Sequence, residues 1–185
     1  MRQTFPVHDA IPASSYPNLL LCCLIAAVCA LDRVVMSVAI LPMGTEFGYS
    51  DSTKGAIAAF FSLGYMLGLV PSGIGSATGS PKTVLFIGLL IWSVAQYVTP
   101  FSAVAGVSLL LFTRAAMGAG EAACIPSLQV IAANFVTSNN RSRFWGFVTA
   151  SLSVGTVGAY FIAPPLIDTY GWPSIFQIFG GLGGG

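Results

Sequence analysis

Five long apolar runs follow one another along this chain, separated by short polar or Gly- and Pro-rich stretches, and a sixth begins near its end. The first, Leu19 to Leu41, has 23 residues. As a helix it rises about 35 Å, enough to cross a bilayer core of about 30 Å. Pro42, Met43 and Gly44 are expected to end it. The polar connection Glu46 to Ser52 follows, where Ser50, Asp51 and Ser52 offer side-chain acceptors for the first free N–H groups of the next helix. A second run extends from Thr53 to about Gly75 and contains Gly64, Gly68, Pro71 and Gly73, residues that suit close packing between membrane helices. After a turn from Ser76 to Lys82 comes a third, Thr83 to about Thr99, which Pro100 is expected to close. The fourth covers about Ala105 to Phe135, and a polar loop, Thr137 to Arg143, separates it from a fifth, about Phe144 to Ile167. The sixth starts near Trp172 and is cut short at Gly185.

Composition places these runs in lipid. Of 185 residues 55% are hydrophobic and 7% charged, against about 25% charged in soluble domains, and the mean hydropathy is +0.83. The pattern predicts an all-α integral membrane protein with two parts: a short irregular segment over residues 1–17, and a helical unit over 18–185. A net charge of +1 with no basic cluster excludes a nucleic-acid partner. The four cysteines, Cys22, Cys23, Cys29 and Cys124, fall in apolar runs without metal or disulfide spacing and read as small packing residues. His8 stands alone in the head, so no zinc or nucleophile constellation forms. Gly118, Gly120 and Ala123 fit a GxGxxA pattern, but without a preceding strand it is no dinucleotide fingerprint. No cofactor and no enzymatic activity are expected.

What the apolar runs should not contain is charge, and two of them do. Leu111 to Pro126 carries Arg114 and Glu121, each costing roughly 2.5 to 3.5 kcal/mol at mid-membrane, which makes such residues functional candidates by default. Seven positions apart, they share one helix face, with Gly118 and Gly120 between them clearing room for a neighbouring helix or a ligand. The plainer reading is an ion pair that fixes packing. The first run carries Asp32 and Arg33, adjacent and therefore about 100° apart, so one of them is expected to face the bundle interior.

Six helices also suggest two inverted three-helix repeats, in which helices one and four are equivalent. These are the helices that carry Arg33 and Arg114. Counting 1.5 Å per residue puts Arg33 on the order of 20 Å above the inner side and Arg114 on the order of 14 Å below the outer. Two cations converging on one cavity call for an anionic ligand. The excess of Arg2, Lys82, Arg141 and Arg143 over Lys54 puts the N-terminus inside.

Several stretches, in order, resemble one family: LDRVVMSVAILP, STKGAIAAFFSLGY, TRAAMGAGEAACIPS, NNRSRFWGF and APPLIDTYGWPSIFQIFG. From about Leu20 onward the chain is similar to the anion:cation symporters of the major facilitator superfamily, a group that includes vesicular glutamate transporters, sialic acid transporters and plant plastid phosphate/anion transporters. Its last stretch looks most like the plant and algal branch. The resemblance implies the N-terminal six-helix half of a twelve-helix fold and secondary transport of a small anion, inorganic phosphate or organic, coupled to H+ or Na+. It implies an integral, multi-pass location, in a plastid or other organelle membrane. It further implies that Arg33 contacts the substrate anion, that Arg114 handles the anion while Glu121 senses protons, and that Tyr65 lines the cavity.

The chain also departs from the family pattern. Ala58 stands where glutamate-type members carry a histidine, which argues against a vesicular glutamate carrier. In the loop SGIGSATGSPKT, Ala77 and Thr78 replace the Asp and Arg of the superfamily's charge latch, and Asn140 precedes Arg141 where Glu-Arg is usual. Six helices cannot alternate access alone, so the expected partners are a lipid bilayer, a small anion, its coupling ion, and either the missing C-terminal six-helix half or a second chain. The competing expectation is a truncated, non-transporting half-module that binds or regulates a full-length partner, or a degenerate gene product.

Overall fold

The computed structural model describes residues 16–184, and side chains over 16–181. His8, Arg2 and nearly all of the irregular head lie outside the described residues, whereas Tyr16 and Pro17 already belong to a helix. The elements are α1 (Tyr16–Phe47), α2 (Asp51–Thr78), α3 (Pro81–Ala105), α4 (Val107–Glu121), α5 (Cys124–Phe135), α6 (Arg141–Tyr170) and α7 (Trp172–Gly184), with one 3-10 turn (Ser138–Asn140) before α6. Five segments among the described residues are long and apolar enough to cross a membrane, α4 and α5 together forming one of them. Large apolar side chains on their outer faces, such as Phe161, Val104 and Phe112, are more than two-thirds exposed. A soluble protein would bury a surface of this kind, and lipid is its solvent.

Two expected helix ends are corrected. Neither Pro42 nor Pro100 terminates its helix: α1 runs on to Phe47 and α3 to Ala105. A proline within a membrane helix removes only one N–H, that for the carbonyl four residues back, at Val38 and Gln96 here, and each helix continues past it. The expected cap is present, since the Ser50 hydroxyl accepts from the Thr53 N–H at 3.2 Å. Ser80 does the same for α3, with Pro81 at its first position, where no N–H is needed.

The fourth run is corrected too: it is two helices. The chain breaks at Ala122 and Ala123, directly after Glu121, where the Ala123 N–H reaches back three residues to Gly120 rather than four. Pro126 explains the break. It has no N–H for the Ala122 carbonyl, and the hydroxyl of Ser72 on α2 donates to that oxygen instead, at 3.1 Å.

Three of the packed pairs follow the expected two-fold exchange of helices one, two and three with four, five and six. α1 lies along α6, and α2 along α4, which are equivalent pairs; α3 packs on α7, a pair that maps onto itself. Each equivalent pair is held by a glycine pressed onto a carbonyl. A Cβ at Gly155 would stand 2.1 Å from the Ala27 oxygen, and one at Gly64 would stand 1.9 Å from that of Ala115. Without a side chain the backbones approach closely, which is how helices associate in a solvent as apolar as their own surfaces. One end of the bundle is fastened by Trp172, whose Nε1 donates to Glu46 at 2.6 Å, with Phe47 and Phe176 edge-on to its ring.

Candidate functional site

The glycine contacts mark equivalent positions on α1 and α4. Ala27 and Ala115 are equivalent under the exchange, and six residues beyond them stand Arg33 and Glu121. Equivalent positions on two facing inverted helices meet near the pseudo-two-fold axis. There the Arg33 Nε donates to Glu121 Oε1 at 2.5 Å. Glu121 is nearly sealed, with 1% of its side chain exposed, while Arg33 is 49% exposed. The pairing corrects the expectation that Glu121 serves Arg114, and with it the picture of two uncompensated arginines. The spacing of seven placed Arg114 and Glu121 on one face, but a carboxylate from that face is taken by the helix opposite.

Arg33 opens into a cavity of about 380 Å³. Cys29, Ala30 and Val34 of α1 line it with Tyr65 of α2, Glu121, Cys124 and Ile125 at the α4–α5 break, and Leu152 and Thr156 of α6. Tyr65 lies against Arg33, with 5.1 Å from the guanidinium carbon to the ring centre. An open guanidinium, an aromatic wall and a sealed carboxylate bonded to that guanidinium make a site where an oxyanion can compete for the Arg33 donors.

Arg114 does not line this cavity. It is 3% exposed, and its one hydrogen bond goes to a thioether, from Nη1 to Met117 Sδ at 2.9 Å. Its Nε is buried without a partner, as is Glu121 Oε2. The Phe61 ring lies against both arginines, 5.3 Å from the Arg114 guanidinium carbon and 5.8 Å from that of Arg33. Of the two cations expected to converge on one cavity, one lines it and the other is secluded beside it.

Of the adjacent pair on α1, both residues face inward, in different directions. Asp32 is 2% exposed and accepts from Gln96 Nε2 of α3 at 3.3 Å. Sequence reasoning overlooked Gln96 and Phe61. A signal existed for Gln96, the only amide in the third apolar run, whereas nothing distinguishes Phe61 from the chain's other phenylalanines. The four embedded charges, Asp32, Arg33, Arg114 and Glu121, sum to zero in their ordinary ionised forms, and both carboxylates act on Arg114 through space.

Comparison with known proteins agrees with this architecture. The chain is 43% identical over 156 residues to the probable anion transporter 1, chloroplastic, of Oryza sativa subsp. japonica, covering 84% of this chain and 30% of the relative. It is 40% identical over 164 residues to the sodium-dependent phosphate transport protein 1, chloroplastic, of Arabidopsis thaliana, covering 89% and 32%. The chain thus spans about 30% of the length of the curated relatives it matches. Among solved structures, a bacterial homolog of the human lysosomal transporter Spinster, in an inward-facing and occupied conformation, superposes with a TM-score of 0.80 at 24% identity, over 94% of this chain and 43% of that one; at this identity the likeness speaks for the fold. The sequence pattern of the Major Facilitator Superfamily matches residues 22–185, and the chain belongs to that family.

Proposed function

We propose that this chain forms the N-terminal six-helix half of a secondary transporter that moves a small oxyanion, inorganic phosphate or an organic anion, across a plastid or other organelle membrane. The observation that carries the reading is the half-exposed Arg33 guanidinium in its cavity, bonded to a carboxylate sealed from solvent. An arriving oxyanion takes the place of Glu121 on Arg33, since the planar guanidinium can grip two oxygens at once. Tyr65 forms the wall of that site. The names of the plastid relatives, an anion transporter and a sodium-dependent phosphate transporter, support the same class of cargo.

Charge balance supports coupling to a cation. With all four groups ionised the embedded set is neutral, so a bound monoanion leaves it one charge negative, and an unbalanced charge in a desolvated site costs several kcal/mol. One H+ taken up at Glu121, freed from Arg33, restores neutrality. A Na+ bound nearby does so equally well. A second six-helix unit, from the same polypeptide or from another, closes the cavity from its open side, and Arg114 adds its charge to the anion's field.

The test is phosphate or organic-anion uptake by the natural protein in proteoliposomes. Arg33→Ala should lower uptake at least tenfold, as expected when a charged hydrogen bond worth about 1.5 to 3 kcal/mol is lost. Arg33→Lys should fail nearly as badly, because an ammonium keeps the charge without the fork. Normal uptake by both variants overturns the assignment.

A further inference from the structure

Arg114 is the least satisfied charge in the molecule's described part. A guanidinium has five N–H donors, and here one meets a thioether while the Nε is buried with no partner. A buried cation with spare donors calls for an anionic partner. Arg114 and Phe61 both lie outside the lining of the cavity at Arg33. What lies against both guanidiniums is the Phe61 ring.

The position of that ring is tightly set on one side and loose on the other. Its backbone is held by Gly118 on α4, where a Cβ would stand 2.1 Å from the Phe61 carbonyl oxygen. This contact brings the α2 backbone close enough for the ring to rest on Arg114, four residues earlier on α4. The side chain itself is half-buried, so turning about χ1 moves the ring without moving the helix. An aromatic face is a weak partner for a guanidinium, and an oxyanion can displace it.

We propose that Phe61 is a shutter over Arg114: in the position seen it keeps the second guanidinium out of the cavity, and turned aside it lets one oxyanion bridge Arg33 and Arg114. This makes Phe61 a positioning residue for the transported anion. The inference rests on the reading of the Arg33 cavity as an oxyanion site, and the experiment separates the two.

The probe is phenylglyoxal, which adds to accessible guanidiniums, followed by peptide mass spectrometry of the whole chain in detergent, with and without inorganic phosphate. In the unaltered chain Arg33 should be modified and Arg114 at least tenfold more slowly. Phe61→Ala should raise the Arg114 rate tenfold or more and leave that of Arg33 within twofold, and phosphate should then protect both arginines. Reaction of the buried Cys22 thiol with N-ethylmaleimide reports unfolding. If Phe61→Ala exposes Cys22, then Phe61→Leu, which keeps much of the volume but not the flat ring, is decisive, with a threefold or larger rise expected at Arg114. An Arg114 rate that is the same with and without the Phe61 ring overturns the shutter. Failure of phosphate to protect Arg33 in the unaltered chain overturns the oxyanion site and leaves the rate comparison at Arg114 standing.

Discussion

The break after Glu121 gives a stability prediction that can be worked from individual atoms. Ser72 donates to the Ala122 carbonyl because Pro126, one helical turn on, has no N–H to give it. Ser72→Ala leaves that carbonyl short of a donor, which in protein interiors costs about 1 to 3 kcal/mol. The hydroxyl proton is shared with the Leu69 carbonyl at 3.0 Å, and polar contacts between membrane helices average about 0.6 kcal/mol with a maximum near 1.7. The expected loss is therefore about 1 kcal/mol. Pro126→Ala restores an N–H to the helix, which can reach Ala122 without help from α2. In that background Ser72→Ala should cost almost nothing, so the two substitutions should be coupled by about 1 kcal/mol. Equilibrium unfolding of all four chains in mixed micelles measures the coupling, and the cycle removes any separate cost of losing the proline ring. Effects that add to within about 0.3 kcal/mol, as for independent sites, refute the account of why helix four is broken.

Three further outcomes follow. Gly118→Ala puts a Cβ 2.1 Å from the Phe61 carbonyl and must push α2 off α4, at about 1 to 3 kcal/mol, whereas Gly158→Ala meets nothing within 4 Å and should be neutral or slightly stabilising; thermal unfolding in detergent compares them. On the proposed function, Glu121→Gln cannot gain or lose a proton, so anion exchange in proteoliposomes should become nearly independent of pH, and retention of the native pH profile removes Glu121 from coupling. The acceptor Asn140-Arg141-Ser142 should stay unglycosylated in microsomes, because Arg141 and Arg143 are expected to keep that loop inside, while a sequon engineered between Glu46 and Ser50 should be modified, each tested within a longer flexible insert. Glycosylation of the Asn140 loop inverts the orientation.

Much of this protein is legible in the order of its residues. Length and apolarity set where helices lie, because a bilayer leaves backbone N–H and C=O groups no partner but the helix itself. Cost marks the residues that matter: Asp32, Arg33, Arg114 and Glu121 stand out because charge in lipid needs a reason. Proline misled the reading at Pro42 and Pro100, where the same bilayer that makes a broken helix expensive keeps it continuous. Pro126 acted where the others did not, with a hydroxyl from α2 at hand to take over the carbonyl of Ala122.

Which charge meets which was decided only in three dimensions. Spacing along a helix states which residues share a face, and it correctly aligned Arg114 with Glu121, but says nothing of what arrives from the helix opposite. The Gly155 contact seats α1 on α6 and the Gly64 contact seats α4 on α2, and in the assembled bundle Arg33 meets Glu121. Arg114 is left behind a phenylalanine that no pattern distinguishes from its neighbours. Periodicity and cost are properties of one strand of residues, whereas a salt bridge, a cavity and a covering ring belong to distances between helices, and those were set by where the chain could do without side chains.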